Sequence, residues 1–454
     1  MRNLKIGIEI HVQLNTKSKL FCSCPNYGKD EPNSRTCYVC LGMPGSKPVL
    51  NKEALKKAIK VALALNCKIN KETFFSRKSY FYPDLVKNFQ ITQYEVPIGI
   101  EGNFEGIRIR RLHLEEDPGA LIHKGNICLI DYNRSGIPLI EIVTEPDFKS
   151  PNEVRIFLRK LITMLAYLDV YYRKDESTLK ADANISLGGE RVEIKNINGL
   201  KEIERALDYE MIRQEKEIPQ AKETRRWDSE KGKTFLMRTK ESEEDYGYIF
   251  EPDLPIIEIS EEELTSLKKE IPELNVDKTK RYLKNYNLDK ETAEVLSNDI
   301  KLGALYDFSI SNGINPQMAA KWLRRDLLGF LSYDKKELKD VSINDKHLVE
   351  ILKLVQNKTI TDKVGKELLL KLIKKDYDVI KYVEENKLGI VADEKHLEKS
   401  CEEAINENKD SIEKIKSGDY KVLNFLIGEV MRKTKGVGKP EVIVKILKQL
   451  LNIK

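Results

Sequence analysis

Residues 4–14, LKIGIEIHVQL, place an apolar side chain at every second position without a break. Side chains along a strand alternate between its two faces. Leu4, Ile6, Ile8, Ile10, Val12 and Leu14 therefore share one face, and Glu9, His11 and Gln13 share the other. A helix would scatter the same apolar residues around its circumference, so this segment is a strand with one face made for a core. Glu9 and His11, two apart on one face, stand side by side and can share a cation. A strand whose polar face is merely solvated has the same pattern.

The chain has 454 residues, more than the roughly 250–300 that one core usually organises. Its character changes near residue 275. Before that point, short alternating segments are broken by Gly, Pro and Asn, which predicts an α+β domain with a mostly antiparallel sheet. After it, AAKWLRRDLLGFL, KHLVEILKLVQ and KVGKELLLKLIKK repeat apolar residues every three to four positions, as helices do. A second boundary falls in KLGIVADEK, around residues 388–395. The expected domains are residues 1–275, 276–390 and 391–454. The last helix starts after Gly438 and Pro440, with Val442, Ile446 and Leu450 along one stripe. From Lys421 onward eight basic residues meet two acidic ones, a net +6 against +5 for the whole chain. Such a module suits phosphates, or is a solvated helix face. No run approaches the roughly 20 apolar residues of a bilayer span. No apolar signal region precedes the first strand. These features predict a cytosolic protein.

Seven cysteines are present. Cys67, Cys128 and Cys401 are scattered and are expected as small buried hydrophobes. The other four form two close pairs, Cys22-Ser-Cys24 and Cys37-Tyr-Val-Cys40, joined by a turn-rich loop. In a cytosolic chain this spacing points to metal rather than disulfides. Four soft ligands suit a structural Zn²⁺ and leave no open position for catalysis, whereas four free thiols are the alternative.

A second polar face is predicted in ADANISLGGERVEIKNI, residues 181–197. With Gly188-Gly189 as a two-residue turn, Ile185 opposes Val192, Asn184 opposes Glu193 and Asp182 opposes Lys195. Ala183, Ile185, Val192 and Ile194 then form an apolar face. Asp182, Asn184, Glu193 and Lys195 form a polar one that could bind Mg²⁺ with a phosphate, or simply face solvent. HLEED packs His113, Glu115, Glu116 and Asp117 together, and the alternation shifts at Arg110-Arg111, which predicts a bulge. That acidic run is either a surface feature or half of a metal–phosphate site. Arg134 lies in a Gly/Pro-flanked loop, ahead of Glu141 in an apolar strand. Arg238, Lys240, Asp245, Tyr246 and Asp253 lie in an irregular segment. No Walker loop, dinucleotide fingerprint, zinc-protease motif or hydrolase elbow occurs, so any ATP chemistry rests on another constellation.

Segments spread along the chain resemble, in order, one family. They are IGIEIHVQLNTKSKLFC, CYVCLGMPGSKPVLNKEA, YFYPDL, NFQITQY, LHLEED, RSGIPLIEIVTEPD, VEIKNING, TRRWD, MRTKESEEDYGYIFEPDLP and NFLIGEVMRKTKGVGKPEVI. The family is that of the B subunits of tRNA-dependent aspartyl/glutamyl amidotransferases. The resemblance implies a cradle-shaped α+β domain, a helical domain and a small tRNA-gripping helical tail. It implies ATP- and Mg²⁺-dependent phosphorylation of the side-chain carboxylate of Glu-tRNA(Gln) or Asp-tRNA(Asn). An amidase-type A subunit would release ammonia from glutamine, and a small C subunit would complete the complex. Glu9, His11, Glu115, Glu116, Asp182, Asn184 and Glu193 match the cradle motifs and become Mg²⁺ candidates. Glu9, His11, Glu116, Arg134 and Lys195 become catalytic candidates, and Arg134, Lys180 and Arg238 become phosphate or tRNA contacts. Many relatives carry Glu-Gly-Ser where Glu176-Ser177-Thr178 stands, Arg in place of Lys180 and Gly in place of Asn88. Lys keeps the charge but lacks the two-pronged donor of Arg. A non-catalytic adaptor that only positions tRNA is the competing reading. It gives no reason for clustered carboxylates, which would repel RNA unless a cation bridged them. A stand-alone zinc enzyme is a third, disfavoured because four cysteines close the metal site.

Overall fold

A computed structural model describes residues 3–28, 30–171, 180–239, 247–389, 394–408, 423–434 and 440–451, with residues 412, 415, 437 and 438. Residues 176–179, Lys240, Asp245, Tyr246, the boundary segment 390–393 and Lys421, Lys435, Lys439 and Lys454 lie outside that set. The chain divides into two compact units, Met1–Val276 and Asp277–Lys454.

The first unit is α+β. Its strands are β1 (Leu4–Gln13), β2 (Lys68–Ile69), β3 (Glu72–Thr73), β4 (Ser76–Ser79), β5 (Phe89–Thr92), β6 (Gly99–Phe104), β7 (Ile107–Glu116) and β8 (Ala120–Lys124). They continue as β9 (Ile127–Asp131), β10 (Pro138–Thr144), β11 (Lys180–Leu187), β12 (Val192–Asn198), β13 (Glu223–Asp228), β14 (Lys233–Thr239), β15 (Gly247–Phe250) and β16 (Ile257–Glu258). Twelve of them form one sheet, ordered β14-β13-β12-β11-β1-β10-β7-β5-β4-β15, with β6 branching from β7 and β2 pairing β6. Among the described residues its strand pairs are antiparallel except β12–β13.

The expected two faces of β1 are realised. Ile6, Ile8, Ile10, Val12 and Leu14 are 0–1% exposed, whereas Glu9, His11 and Gln13 are partly exposed on the other side. The buried face packs against helices α1 (Lys52–Ala64), α2 (Pro151–Tyr167) and α3 (Leu200–Lys216). Ser150 starts α2 by accepting from Glu153 N, with Pro151 in the first turn. Asn51 starts α1 in the same way, accepting from Glu53 N and Ala54 N. With all three helices on one face, the polar positions of successive strands line the other.

Two local expectations are met in detail and one is corrected. Arg110 is the extra residue of a bulge: Val143 opposes Arg111, but Thr144 opposes Ile109. Ile185 opposes Val192 and Asn184 opposes Glu193. The connection is wider than the predicted two-residue turn, because β11 ends at Leu187 and β12 starts at Val192. Ser186 Oγ donates to Gly189 O at 2.6 Å, and Glu190 N donates to Pro219 O at 3.0 Å. The pairing then shifts, so Ala181 meets Ile197. Asn88, where the family resemblance leads one to expect Gly, has φ 61°, a conformation that Asn tolerates far better than most residues.

In the second unit the described elements are all helical. AAKWLRRDLLGFL becomes a helix from Pro316 to Tyr333 with a π-helical stretch at Trp322–Leu327. The other two segments become helices Asp345–Gln356 and Asp362–Lys374. Apolar side chains between residues 282 and 383 form one core, around Trp322, Tyr282 and Tyr306, and those between 397 and 451 form another. In the last helix, Pro440–Leu450, the buried line is Ile443, Ile446 and Leu447, while Val442 and Leu450 are partly buried flanks. The expected Val442–Ile446–Leu450 stripe is thus rotated by about one residue. Cys67 and Cys401 are buried as expected, but Cys128 is exposed on the two-stranded β8–β9 ribbon. Among the described residues no helix is long and apolar enough to cross a membrane.

Candidate active site on the open sheet face

Antiparallel register places polar side chains from neighbouring strands in rows. His11 lies opposite Glu141 of β10, and Glu141 lies opposite His113 of β7. Two residues along β7, Glu115 joins them. His11 Nε2 is 3.3 Å from Glu141 and 3.5 Å from Glu115, and His113 Nε2 is 3.8 and 3.7 Å from the same two carboxylates. One donor atom each of His11, Glu115 and Glu141 lie within 4.8 Å of one another, a spacing that can hold a metal ion. The carboxylates suit Mg²⁺, and the imidazole extends the set toward transition-metal ions.

The charges are strongly coupled. Burial works to raise Glu141, yet His113, His11 and Arg111 hold its carboxyl well below the usual range. Burial opposes charge on His11, but its hydrogen bond and ion pair with Glu141, and the nearby Glu115, raise it to about 9. Arg111 Nη2 sits 3.5 Å from Glu141. Two buried nitrogens beside the cluster, Arg111 Nε and His113 Nδ1, have no hydrogen-bond acceptor among the described residues.

On the β11–β12 side lies a second group. Lys195 Nζ is 2.9 Å from Asp182 and 2.8 Å from Glu193, and Asn184 Nδ2 donates to Glu9 Oε1 at 3.0 Å. Burial, then Glu141 and Glu193, raise Glu9 above the usual carboxylate range. Despite burial, Asp182 and Glu193 raise Lys195 further above the usual lysine range. Thr224 continues the Asn184–Glu193 row, and Arg238 lies opposite Thr224 on an exposed position of β14. Lys180 lies opposite His11 at the start of β11.

The HLEED run divides three ways. Glu115 points to the open face. Glu116 points to the opposite side, accepting from Lys87 Nζ at 2.5 Å and Ile91 N at 2.9 Å. There it lines a cavity of about 210 Å³ with Cys22, Cys40, Arg77 and Glu251. Asp117 turns toward Gln13, whose Nε2 donates to it at 2.6 Å. All three acids are buried, so the run is not a surface feature. Arg134 holds this turn, donating to Pro118 O at 2.9 Å and Gly119 O at 2.5 Å. Of the predicted residues, then, Glu9, His11, Glu115, Asp182, Asn184, Glu193 and Lys195 share the open face, and Glu116 does not. Glu141 and His113 are the members that the sequence motifs do not single out as metal or catalytic candidates. The available signal is a lone Glu at every-other spacing among Ile140 and Ile142, taken together with the same pattern in β1 and β7.

The four clustered cysteines also meet, with one sulfur of each inside the same 4.8 Å limit. The fully buried Lys19 directs its ammonium at Cys40 Sγ, 3.7 Å away, and at Arg35 O and Tyr132 O. A hydrogen bond from Cys22, the Cys37 backbone N–H and Lys19 lower Cys40 to about 5 against burial. A buried lysine beside four thiols favours thiolate, the form that binds metal.

His11 supplies a pH test. Its folded pKa of about 9 exceeds its ordinary 6.5. The stabilisation it brings is therefore complete below about pH 6.5 and is lost as pH rises through about 9. In cation-free protein, the His11 imidazole resonance should titrate near 9 by NMR. In Glu141→Gln it should return toward 6.5; an unshifted titration would show that Glu141 does not hold the proton.

Comparison with known proteins places the whole chain in one family. The family model described as GatB/GatE catalytic domain matches residues 4–265, and the one described as GatB domain matches residues 304–451. The chain is 41% identical to the B subunit of the aspartyl/glutamyl-tRNA(Asn/Gln) amidotransferase of Persephonella marina, over 98% of both chains. It is 43% identical to the same protein of Methanothermobacter thermautotrophicus, over 98% of this chain and 100% of the relative, and 42% identical to that of Methanocaldococcus jannaschii, over 99% and 98%. The chain belongs to the family of aspartyl/glutamyl-tRNA(Asn/Gln) amidotransferase B subunits.

Proposed function

We propose that the open sheet face is where a misacylated tRNA, Glu-tRNA(Gln) or Asp-tRNA(Asn), has its side-chain carboxylate activated by ATP. The observation that carries this reading is the meeting of His11, Glu115 and Glu141 on one face with the Asp182–Glu193–Lys195 group. The side-chain carboxylate oxygen attacks the γ-phosphorus and ADP leaves. Ammonia then attacks the carbonyl carbon and phosphate leaves, giving the amide. Glutamine is the ammonia source, through an amidase-type A subunit, with a small C subunit completing a cytoplasmic heterotrimer. The basic C-terminal segment grips the tRNA.

His11, Glu115 and Glu141 fit a divalent cation, with Glu9, Asp182, Asn184 and Glu193 in reserve beside them. Such an ion, Mg²⁺ in this reading, spreads the negative charge of the transferring phosphoryl group. The chain's own residues do the rest. Lys195, held between two acids, is fixed in place to meet phosphate oxygens, and Arg238 stands at the outer edge of the same face. Arg111 and His113 keep Glu141 ionised. Arg134 shapes the 117–119 turn next to Gln13. The four cysteines fit a structural Zn²⁺ that ties the Cys22–Cys40 segment to the sheet.

Reconstitution of this chain with its amidase-type and small partners, misacylated tRNA, ATP, Mg²⁺ and glutamine tests the reading. Glu141→Ala should reduce amidated tRNA by roughly 10²–10³-fold, the usual effect of removing one transition-state contact, with tRNA binding kept. Full activity in that variant supports the adaptor reading. Glu116→Ala, in the cavity on the other face, separates the two faces: loss of glutamine-dependent but not ammonia-dependent product places it outside the activation step. For the cysteines, elemental analysis should find about one zinc per chain. Cys37→Ser/Cys40→Ser should lose it and unfold at lower temperature; a zinc-free wild type of unchanged stability would remove the metal from the account.

A further inference from the structure

Two tyrosines of the open face take no part in these roles. Tyr94, just past β5, and Tyr248, on β15, stack with ring centroids 4.2 Å apart and planes 17° from parallel. The guanidinium of Arg111 lies 5.1 Å from the centroid of Tyr94. Tyr94 nevertheless keeps 39% of its surface exposed. The stack adjoins the His11–Glu115–Glu141 cluster. Thr92, two residues before Tyr94, is the register partner of Glu115, and Arg111 reaches both the Tyr94 ring and Glu141. The β5 and β7 strands are only one inter-strand spacing apart, about 4.8 Å.

A parallel aromatic stack with one ring exposed and the other half-buried, continued by a guanidinium, suits a flat heteroaromatic base. Arg111 adds a buried Nε–H without an acceptor among the described residues. We propose that the Tyr94–Tyr248–Arg111 stack receives the adenine ring of the tRNA's 3′-terminal aminoacylated adenosine, and so sets its carboxylate against the cluster. This rests on the function proposed above.

Charge decides between this adenosine and that of ATP. On the β12–β14 flank, Lys195, Arg226 and Arg238 hold open-face register positions. A triphosphate belongs there. On the aromatic flank, among the described residues, Arg111 and Lys78 lie over the rings of Tyr94 and Tyr80, and Arg111 also faces Glu141. With both cations engaged by rings and Glu141, that flank offers little to a triphosphate and suits the terminal adenosine, which carries a single phosphodiester charge. The aminoacyl ester then spans from the stack to the cluster.

The test uses tRNA whose terminal adenosine is replaced by 2-aminopurine, bound to the full three-subunit complex. Stacking quenches this fluorophore. Wild type should quench it. Tyr94→Ala and Tyr248→Ala should restore fluorescence and raise the KM for aminoacyl-tRNA by about tenfold, the scale of one lost base stack, leaving the KM for ATP at its wild-type value. Tyr94→Phe, which keeps the ring, should recover the quench. A rise in the KM for ATP alone would give the stack to the nucleotide and overturn the proposal. Unchanged quenching in both alanine variants, each melting as wild type does, would overturn it too. The quench is read without turnover, so an inactive wild type that still quenches contradicts the proposed function and leaves the stacking site standing.

Discussion

The open face depends on the burial of one side of β1. Ile6, Ile8 and Ile10 are essentially inaccessible to solvent, and each contributes about 1.5–3 kcal/mol by leaving water. A one-residue slip would expose all of them and drive Glu9 and His11 into the core. The neighbours obey the same rule: Leu112 and Leu114 in β7, Ile140 and Ile142 in β10, and Ala183 and Ile185 in β11 all face the helices. The apolar core thus fixes the register of four adjacent strands. The polar row of His11, Glu141 and His113 is the other side of that same constraint.

Electrostatics then differentiates positions that the backbone makes equivalent. Glu141 lies between two histidines and Arg111 and stays ionised despite burial. Glu9, two residues back along β1, is held toward its neutral form by burial and then by the acids around it. Across the sheet the face changes from basic positions on β12–β14 to an acidic centre and an aromatic edge on β5 and β15. Groups fixed by packing before a substrate arrives need little reorganisation during reaction. That is the physical advantage of building such a face on a sheet rather than on loops.

Local features are legible in the sequence, and long-range pairing is not. Period-two alternation assigns the faces of β1, and the break in alternation locates the Arg110 bulge. A Gly-Gly pair centres the β11–β12 connection, although Pro219, thirty residues on, widens the turn. The pairing of β1 with β10 joins residues about 130 positions apart, and no local pattern specifies it. Glu141 therefore reads as one polar residue in an apolar strand. Likewise Glu115 and Glu116 look equivalent in HLEED until the strand gives them opposite faces. Cys128 departs from its expected burial because nothing in its spacing distinguishes a core strand from the free β8–β9 ribbon. The last helix keeps its period, but its buried line is set by its partners, Leu397, Cys401 and Leu426.

The central claim is that the side-chain carboxylate of the misacylated tRNA becomes phosphorylated on this face. It can be tested with Glu-tRNA(Gln) carrying oxygen-18 in that carboxylate, turned over by the full complex with ATP and ammonia. The account predicts that the released inorganic phosphate carries oxygen-18, because the carboxylate oxygen leaves with phosphorus. Amide formation with unlabelled phosphate would contradict it and would mean that ATP acts elsewhere.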